Sequence, residues 1–332
     1  MKSLTIRFAF CVLFSVFALF LVTSTADKAF ARTEFISIGT GGTGGVYYPY
    51  GGGVAEIWTK YVKGVRAVAE VTGASVENTK LCDRGETLFG EIMNDVAYQA
   101  YNGIGKFEGK PQKILGMFQM YPHHYQVVAL KNSDVKSIYD IKRKKVSVGA
   151  PASGTEYKTN LVIQEALGIP YSEFNVFRLS FTETANALKD GTIEVGIWDV
   201  AAPTSSIMDL STTHDIKMIS FSPDEIKKIV DKFPFYSEFN LQANTYRGQD
   251  YDVRNPSVWN TFICNANVDE DLVYRLTKAV FEHQDYMIKI HPFARYTTPE
   301  NAVKHSVIPL HPGSIKYLKE KGIAVPDHLI RK

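Results

Sequence analysis

The stretch with the most chemical potential is Gly39-Thr40-Gly41-Gly42-Thr43-Gly44-Gly45-Val46-Tyr47-Tyr48-Pro49-Tyr50-Gly51-Gly52-Gly53. Glycine admits positive φ and lets a ligand approach the backbone closely. A glycine loop that opens into a helix leaves the first N–H groups of that helix unpaired, at its positive end. A turn of this kind takes anions. A second stretch of the same chemical kind lies far along the chain, Ala150-Pro151-Ala152-Ser153-Gly154-Thr155-Glu156. There Ser153 or Thr155 can cap and Glu156 suits the first turn. If the fold brings both helix starts to one cleft, a single ligand receives N–H groups from both sides, and the arrangement closes as a clamp.

Rival chemistry is weaker. Gly39-x-Gly41-x-x-Gly44 matches a dinucleotide fingerprint, with Glu70 near the end of the next strand. The match is unspecific in so glycine-rich a stretch, and the Gly-Lys-Ser/Thr ending of a P-loop is missing. His123 and His124 form a candidate metal pair, but neighbours in a strand point to opposite faces. His283, His291, His305 and His311 show no metal-ligand spacing. No Gly-x-Ser-x-Gly elbow occurs, and Cys82 and Cys264 sit in no nucleophile signature. The sequence therefore points to a binding protein and not an enzyme, with no metal or cofactor. Tyr47, Tyr48 and Tyr50 either line a pocket or pack the first helix on a sheet.

The positioning elements alternate in type. Phe35, Ile36 and Ile38 mark a strand before the glycines; Val54, Ile57, Trp58 and Tyr61 mark a helix over Tyr50 to Tyr61. Val65 to Val71 alternates as a strand and breaks at Thr72-Gly73-Ala74-Ser75. Ser75 or Thr72 then caps a helix over Val76 to Cys82. Ile92 to Val96 leads into a third helical stretch, Ala97 to Gly103. After Gln126–Leu130 a second unit begins: a short surface helix (Asp134 to Ile141), a basic turn, and the strand Lys145 to Gly149 ahead of the second helix start. Phe174 to Leu179 and Ile193 to Trp198 are strands; helices follow at Phe181, Ser205 and Ser222. Tyr246 to Asn260 returns the chain, Val258 to Cys264 is a strand, and Asp269 to Met287 is one helix. Alternation of this kind predicts right-handed crossovers and a mainly parallel sheet, with ligands beyond the carboxyl ends of its strands.

Met1 to Ala31 has the form of an export signal: Lys2 and Arg7, the apolar run Phe8 to Val22 interrupted by Ser15, and the cleavage site Ala29-Phe30-Ala31. The run falls short of a ~20-residue membrane span. An uncleaved anchor is the alternative, against which stands the lack of a stop-transfer pattern. The remainder of the 332 residues is enough for two domains. A formal net charge of +2 argues against nucleic acid and against an anionic membrane surface. Cys82 and Cys264 either pair in an oxidising compartment or stay as two unlinked thiols.

Thr43-Gly44-Gly45-Val46-Tyr47-Tyr48-Pro49-Tyr50-Gly51 resembles the opening signature of the TAXI family, the solute-binding proteins of tripartite ATP-independent periplasmic (TRAP) transporters. Four more stretches resemble the same family in the same order: Thr72 to Asn78, Asp95 to Gly103, Val148 to Glu156, and Ile308-Pro309-Leu310-His311-Pro312-Gly313. The family usually has Gly where Ala74 stands, and a plainer apolar run where Trp198-Asp199 stands. The resemblance implies a two-lobe periplasmic binding protein, α/β and type II-like, with mixed, mainly parallel sheets and a hinge. The implied lobes are 32–126 plus 247–332 and 127–246, in the periplasm. It implies a small anionic solute held between the lobes and handed to TRAP membrane subunits. The solute class expected is glutamate, 2-oxoglutarate or a related C4/C5 dicarboxylate. The site expected is Thr43 with backbone donors at Gly45, Val46 and Tyr47, hydroxyls of Thr72 and Ser75, the amide of Asn78, and Ser153, Gly154 and Thr155 from the second lobe. Trp198 either walls the pocket or packs in the core. No arginine lies in the five motifs. The alternatives are a ligand-binding periplasmic sensor component and a dinucleotide-binding oxidoreductase.

Overall fold

The structure is a computed structural model that describes residues 33–331; the expected signal, Met1 to Ala31, lies outside the described residues. Strand β1 (Glu34–Gly39) runs into the glycine loop and helix α1 (Tyr47–Tyr61). β2 (Val65–Glu70) leads to α2 (Ser75–Arg84), and β3 (Phe89–Met93) to α3 (Asn94–Asn102). The middle of the chain is β4 (Ile114–Leu130), β5 (Lys145–Ser147), α4 (Gly154–Thr159) continuing as a π-helix (Asn160–Ala166), β6 (Asn175–Phe177), α5 (Phe181–Lys189) and β7 (Val195–Val200). Then come α6 (Ser205–Thr213), β8 (Ile216–Ile219), α7 (Pro223–Lys232) and β9 (Ser237–Leu241). The last part holds β10 (Val253–Asn265), α8 (Glu270–Glu282), α9 (Gln284–Ile290), α10 (Pro299–Lys304) and α11 (Pro312–Glu320).

The strands form one mixed sheet in the order β2-β1-β3-β10-β4-β7-β5-β6, with β8 beside β4 and β9 beside β10. Parallel pairs lie towards its two ends, β1 with β3 and β5 with β6 and β7. The centre is antiparallel, because β4 and β10 run past each other from Ser257↔His124 to Asn265↔Ile114. These two strands carry the chain across the whole molecule. β4 is buried from Ile114 to Ala129, including Gln119, His123, His124 and Gln126. A strand covered on both faces shows no alternation, which hides its first half in the sequence. The expected boundary after residue 126 falls inside β4.

Apolar packing fixes the helix starts on this sheet. Trp58 of α1 is fully buried, meets Phe89 and Phe262 edge-on at 5.0 and 5.5 Å, and donates its indole N–H to Leu276 O at 3.1 Å. A second cluster joins Ile92, Tyr125, Val146 and Phe221.

Several boundaries differ from expectation, each for a local reason. α1 opens at Tyr47, not Tyr50, because Pro49 is tolerated in a first turn that has no N–H partner to lose. α2 opens at Ser75 with Ala74 as N-cap, so neither Ser75 nor Thr72 is the cap. β3 begins at Phe89 and α3 at Asn94, both ahead of the apolar pattern. The surface helix is a single 3-10 turn over Ile138–Ile141. The helix expected over Asp269 to Met287 breaks at His283, whose ring turns back to Ala279 O at 2.8 Å and stacks on Tyr61. Cys82 and Cys264 are free and buried, each thiol against a carbonyl, Leu88 O and Leu115 O.

Candidate functional site

Four helix starts converge on one cavity. Its lining includes Val46 and Tyr47 from α1, Ala74 and Ser75 from α2, Ser153 to Thr155 from α4, and Phe181 from α5. Strand ends close the floor: Met93 of β3, His123 of β4, Asp199 and Val200 of β7. The cavity has a volume of ≈ 60 Å³. Two glycines let the walls meet. The Gly44 carbonyl accepts from Ser206 Oγ at 2.8 Å and Thr204 Oγ1 at 3.1 Å, and a Cβ there would lie 2.5 Å from Thr182 Oγ1. A Cβ at Gly154 would lie 2.7 Å from Ser75 Oγ. The glycine loop thus serves close packing against distant turns, a role unrelated to a dinucleotide.

The helix starts differ in how their N–H groups are used. At α1 the Val46 N-cap makes no side-chain cap bond, and the first turn holds no acid. Gly45 N–H, expected to face a ligand, is taken by Gly42 O at 3.1 Å, which leaves Val46 and Tyr47 as the donors there. At α2 the Ala74 N-cap has no side-chain cap bond, but Glu77 places a carboxylate in the first turn, where it accepts from Gly73 N–H; Ser75 Oγ accepts from Met93 N–H at 3.2 Å. At α4 the Ser153 hydroxyl accepts from Glu156 N–H at 3.0 Å, and Glu156 adds a carboxylate to the first turn. An uncapped start carries free donors, and at α1, with no acid in its first turn, the positive potential is also uncompensated.

Of the residues expected from the sequence, Gly45, Val46, Tyr47, Thr72, Ser75, Ser153, Gly154 and Thr155 line this cavity. Thr43, Asn78 and Trp198 are not among its lining residues. Thr43 is exposed. The Asn78 amide donates to Gly39 O, Thr40 O and Glu91 O at 3.0, 2.7 and 2.8 Å, and its Oδ1 accepts from Thr72 Oγ1. It ties β1 to β3 and has no group left over. Trp198 is fully buried; its indole N–H donates to Ser206 Oγ at 3.0 Å and its ring backs Phe181. Tyr47 lines the cavity, Tyr48 is exposed, and Tyr50 lies in the core with its hydroxyl 2.8 Å from Thr297 Oγ1.

Sequence reasoning missed the charged side of the cavity. Asp199 Oδ1 accepts from Lys158 Nζ at 3.0 Å, and both side chains are fully buried. Lys158 also lies over the Tyr236 and Tyr125 rings at 4.9 and 5.6 Å. Asp95 completes the cluster, accepting from Tyr236 OH at 2.7 Å and Val96 N–H at 2.8 Å. Burial pushes its carboxyl up to about 6, against the pull of Lys158. Burial likewise raises Asp199 against the pull of Lys158. His123 is held well below the usual imidazole range by burial and by Lys158, so it is neutral. Its ring packs on Tyr47 at 5.1 Å, while His124 stacks on Phe239 at 3.7 Å on the other face of β4. Among the described residues no group of three or more His, Cys, Asp and Glu side chains could hold a metal ion. The available signal for Asp199 was its own position: one acid directly after an apolar strand core.

Residues 38–322 match the model of the NMT1-like family. Two solved structures resemble the chain. One comes from work on glutathione import via GshT and the cystine ABC importer TcyBC of Streptococcus mutans, with a TM-score of 0.52, 14% identity, and coverage of 81% of this chain and 99% of that one. The other is a protein of Bordetella bronchiseptica RB50, with a TM-score of 0.52, 16% identity, and coverage of 90% and 91%. At such identities the likeness shows the fold, the α/β two-lobe architecture of periplasmic solute-binding proteins.

Proposed function

This chain belongs to the NMT1-like family, and from that premise we propose that it is an exported solute receptor. It captures a small carboxylate in the periplasm and hands it to a membrane transporter. The carrying observation is that the start of α1, without a side-chain cap or a first-turn acid, lines one cavity together with the start of α2. A carboxylate there accepts charge-assisted N–H bonds, each contributing about 1.5–3 kcal/mol. The capture needs no arginine, and none lines the cavity.

The lobes are 32–126 plus 247–332 and 127–246, with β4 and β10 as the strands that flex between them. The five ordered motifs support a TRAP membrane partner. They leave glutamate, 2-oxoglutarate and related dicarboxylates as the solute class. A second carboxylate group would find no cation among the lining residues, and the nearby Lys158 is already paired with Asp199. The helix starts therefore hold one carboxylate of such a solute, and the other is left to hydroxyls and backbone groups.

The test is a thermal-shift screen of carboxylates, amino acids and uncharged controls. A ligand at a hundred times its Kd adds about 2.7 kcal/mol to stability, a rise of several degrees in Tm. Carboxylates should raise Tm and their amides should not. A screen in which amides and acids behave alike would end the reading.

A further inference from the structure

The two proposed lobes share a buried polar cluster. Asp95, in the first turn of α3, belongs to the lobe of 32–126 and 247–332. Lys158 of α4, Asp199 of β7 and Tyr236 ahead of β9 belong to the other. All four are buried, Asp95 and Lys158 completely. Two bonds of the cluster cross from lobe to lobe. Tyr236 OH donates to Asp95 Oδ2 at 2.7 Å, and Lys158 Nζ donates to Pro256 O at 3.4 Å. Nearer the surface, Lys106 reaches Glu156 of α4 across the same seam at 3.7 Å.

The cluster holds two carboxyls and one ammonium. Lys158 Nζ lies 3.0 Å from Asp199 Oδ1, and that pair is contained in one lobe. Asp95 has neutral donors only, the Tyr236 hydroxyl and Val96 N–H at 2.8 Å. The other titratable groups around it bring no cation. Tyr157 of α4, Tyr47 of α1 and Tyr236 itself are kept neutral by burial. His123 of β4, which feels Lys158, is neutral too. A buried charge without its own counter-ion is costly. The neutral acid avoids that cost and can donate its O–H to the Tyr236 oxygen. Opening the lobes parts Asp95 from Tyr236 and Lys158 and lets water reach it, and in water the carboxylate is the stable form.

We propose that lobe closure is proton-linked: closing transfers one proton from water to Asp95, and acid by itself shuts the receptor. This rests on the two-lobe reading above and adds a control to it. In the closed form burial raises the Asp95 carboxyl from 3.8 to about 6, against the pull of Lys158. Closure is therefore helped in full below the open-form value, and the help is lost as pH rises through the closed-form one. The closed-to-open ratio should fall by up to tenfold per pH unit in that window, up to about 100-fold in all.

The experiment is pulsed electron paramagnetic resonance on the purified protein without added solute. Spin labels go on Lys80→Cys in one lobe and Lys228→Cys in the other, both exposed positions. Cys82 and Cys264 are buried and stay unlabelled. Between pH 7.5 and pH 4.5 the closed-to-open ratio should rise at least tenfold. Asp95→Asn, neutral at every pH, should give one distribution at both, weighted to the closed distance. A wild-type distribution that is the same at both pH values overturns the inference. An equal pH response in Asp95→Asn overturns it too, since the proton would then sit elsewhere. Adding the carboxylate ranked first in the thermal-shift screen separates the two readings. Lobes that move with the carboxylate but not with pH leave the two-lobe receptor standing, and lobes that move with neither remove both.

Discussion

The starts of α1 and α4 line the same cavity, but only α4 brings its own anion. At α4, Ser153 accepts a first-turn N–H and Glu156 lies within that turn. Glu156 is engaged again from outside, by Arg178 at 2.7 Å. At α1 the N-cap is a valine, the first turn is Tyr47-Tyr48-Pro49-Tyr50, and nothing in it is acidic. One start is satisfied within the protein; the other is complete only with something added. On the proposed reading the ligand's negative end lies at α1, with α2 beside it, and α4 forms the facing wall. A helix N-terminus is thus an anion site only where the chain leaves its donors free.

The sharpest way to break this contrast is to cap α1. Val46→Asp supplies a carboxylate to the N–H groups reserved for the ligand. With one or two charge-assisted bonds lost, binding should fall by about 1.5–6 kcal/mol, on the order of 10–10⁴-fold. Calorimetry with the best ligand from the screen reads this directly. Retained affinity would move the anion away from α1.

The contrast extends to what lies behind each start. Behind α4 sit Lys158, Asp199 and Asp95; behind α1 sits a single acid, Glu91, fully buried and 2.9 Å from where a Cβ at Gly51 would lie. Asp95 has its carboxyl raised from 3.8 to about 6. For an acid with a raised folded value, the stabilisation is complete below the unfolded pKa and is lost as pH rises through the folded one. Asp95 should therefore withdraw about 3 kcal/mol of stability between roughly pH 4 and pH 6, at 1.36 kcal/mol per unit. Denaturant titrations across that window should show the decline, and Asp95→Asn should flatten it. An equal slope in the variant would assign the dependence to other buried acids such as Glu91, which burial also raises.

A third test uses the capped start. Ser153→Ala removes the side-chain acceptor for Glu156 N–H, so stability should drop by about 1 kcal/mol. Affinity should change less than threefold, since the cap serves the helix and not the solute. A large loss of affinity with unchanged stability would reverse the roles assigned to α1 and α4.

The two starts were equally visible in the sequence as strand, small-residue loop and helix. Their neighbourhood was visible through the glycines and hydroxyls at residues 44–45, 72–75 and 153–155. Their inequality was not, because capping depends on where Glu156 N–H and Ser153 Oγ settle, at 3.0 Å, and on the N-cap being Val46. The charged floor was hidden for a similar reason. Lys158 and Asp199 are far apart in the chain, and only the packing of α4 over β7 joins them. β4 escaped notice because burial on both faces erases its period, and β8 and β9 because short strands carry too few residues for one. Asn78 has a side-chain amide of the right chemistry for a ligand at the end of the Thr72 to Asn78 motif. Three backbone carbonyls claim that amide first.

The smallest effect tests the second uncapped start. Ala74 has φ 73° and ψ −145°, a conformation almost confined to glycine. It precedes Ser75, the first residue of α2, and both line the cavity. Ala74→Gly should release strain of about 1–3 kcal/mol and give back about 0.4–1 kcal/mol through a more flexible unfolded chain. The net gain should be about 0–2.6 kcal/mol, read as a higher denaturation midpoint with an unchanged slope. A methyl group held in a glycine conformation also fixes the direction in which the α2 donors point. The glycine variant should accordingly bind its solute a few-fold more weakly, although it is the more stable protein. If stability and affinity rise together, the strain has no part in aiming those donors, and α1 alone carries the anion.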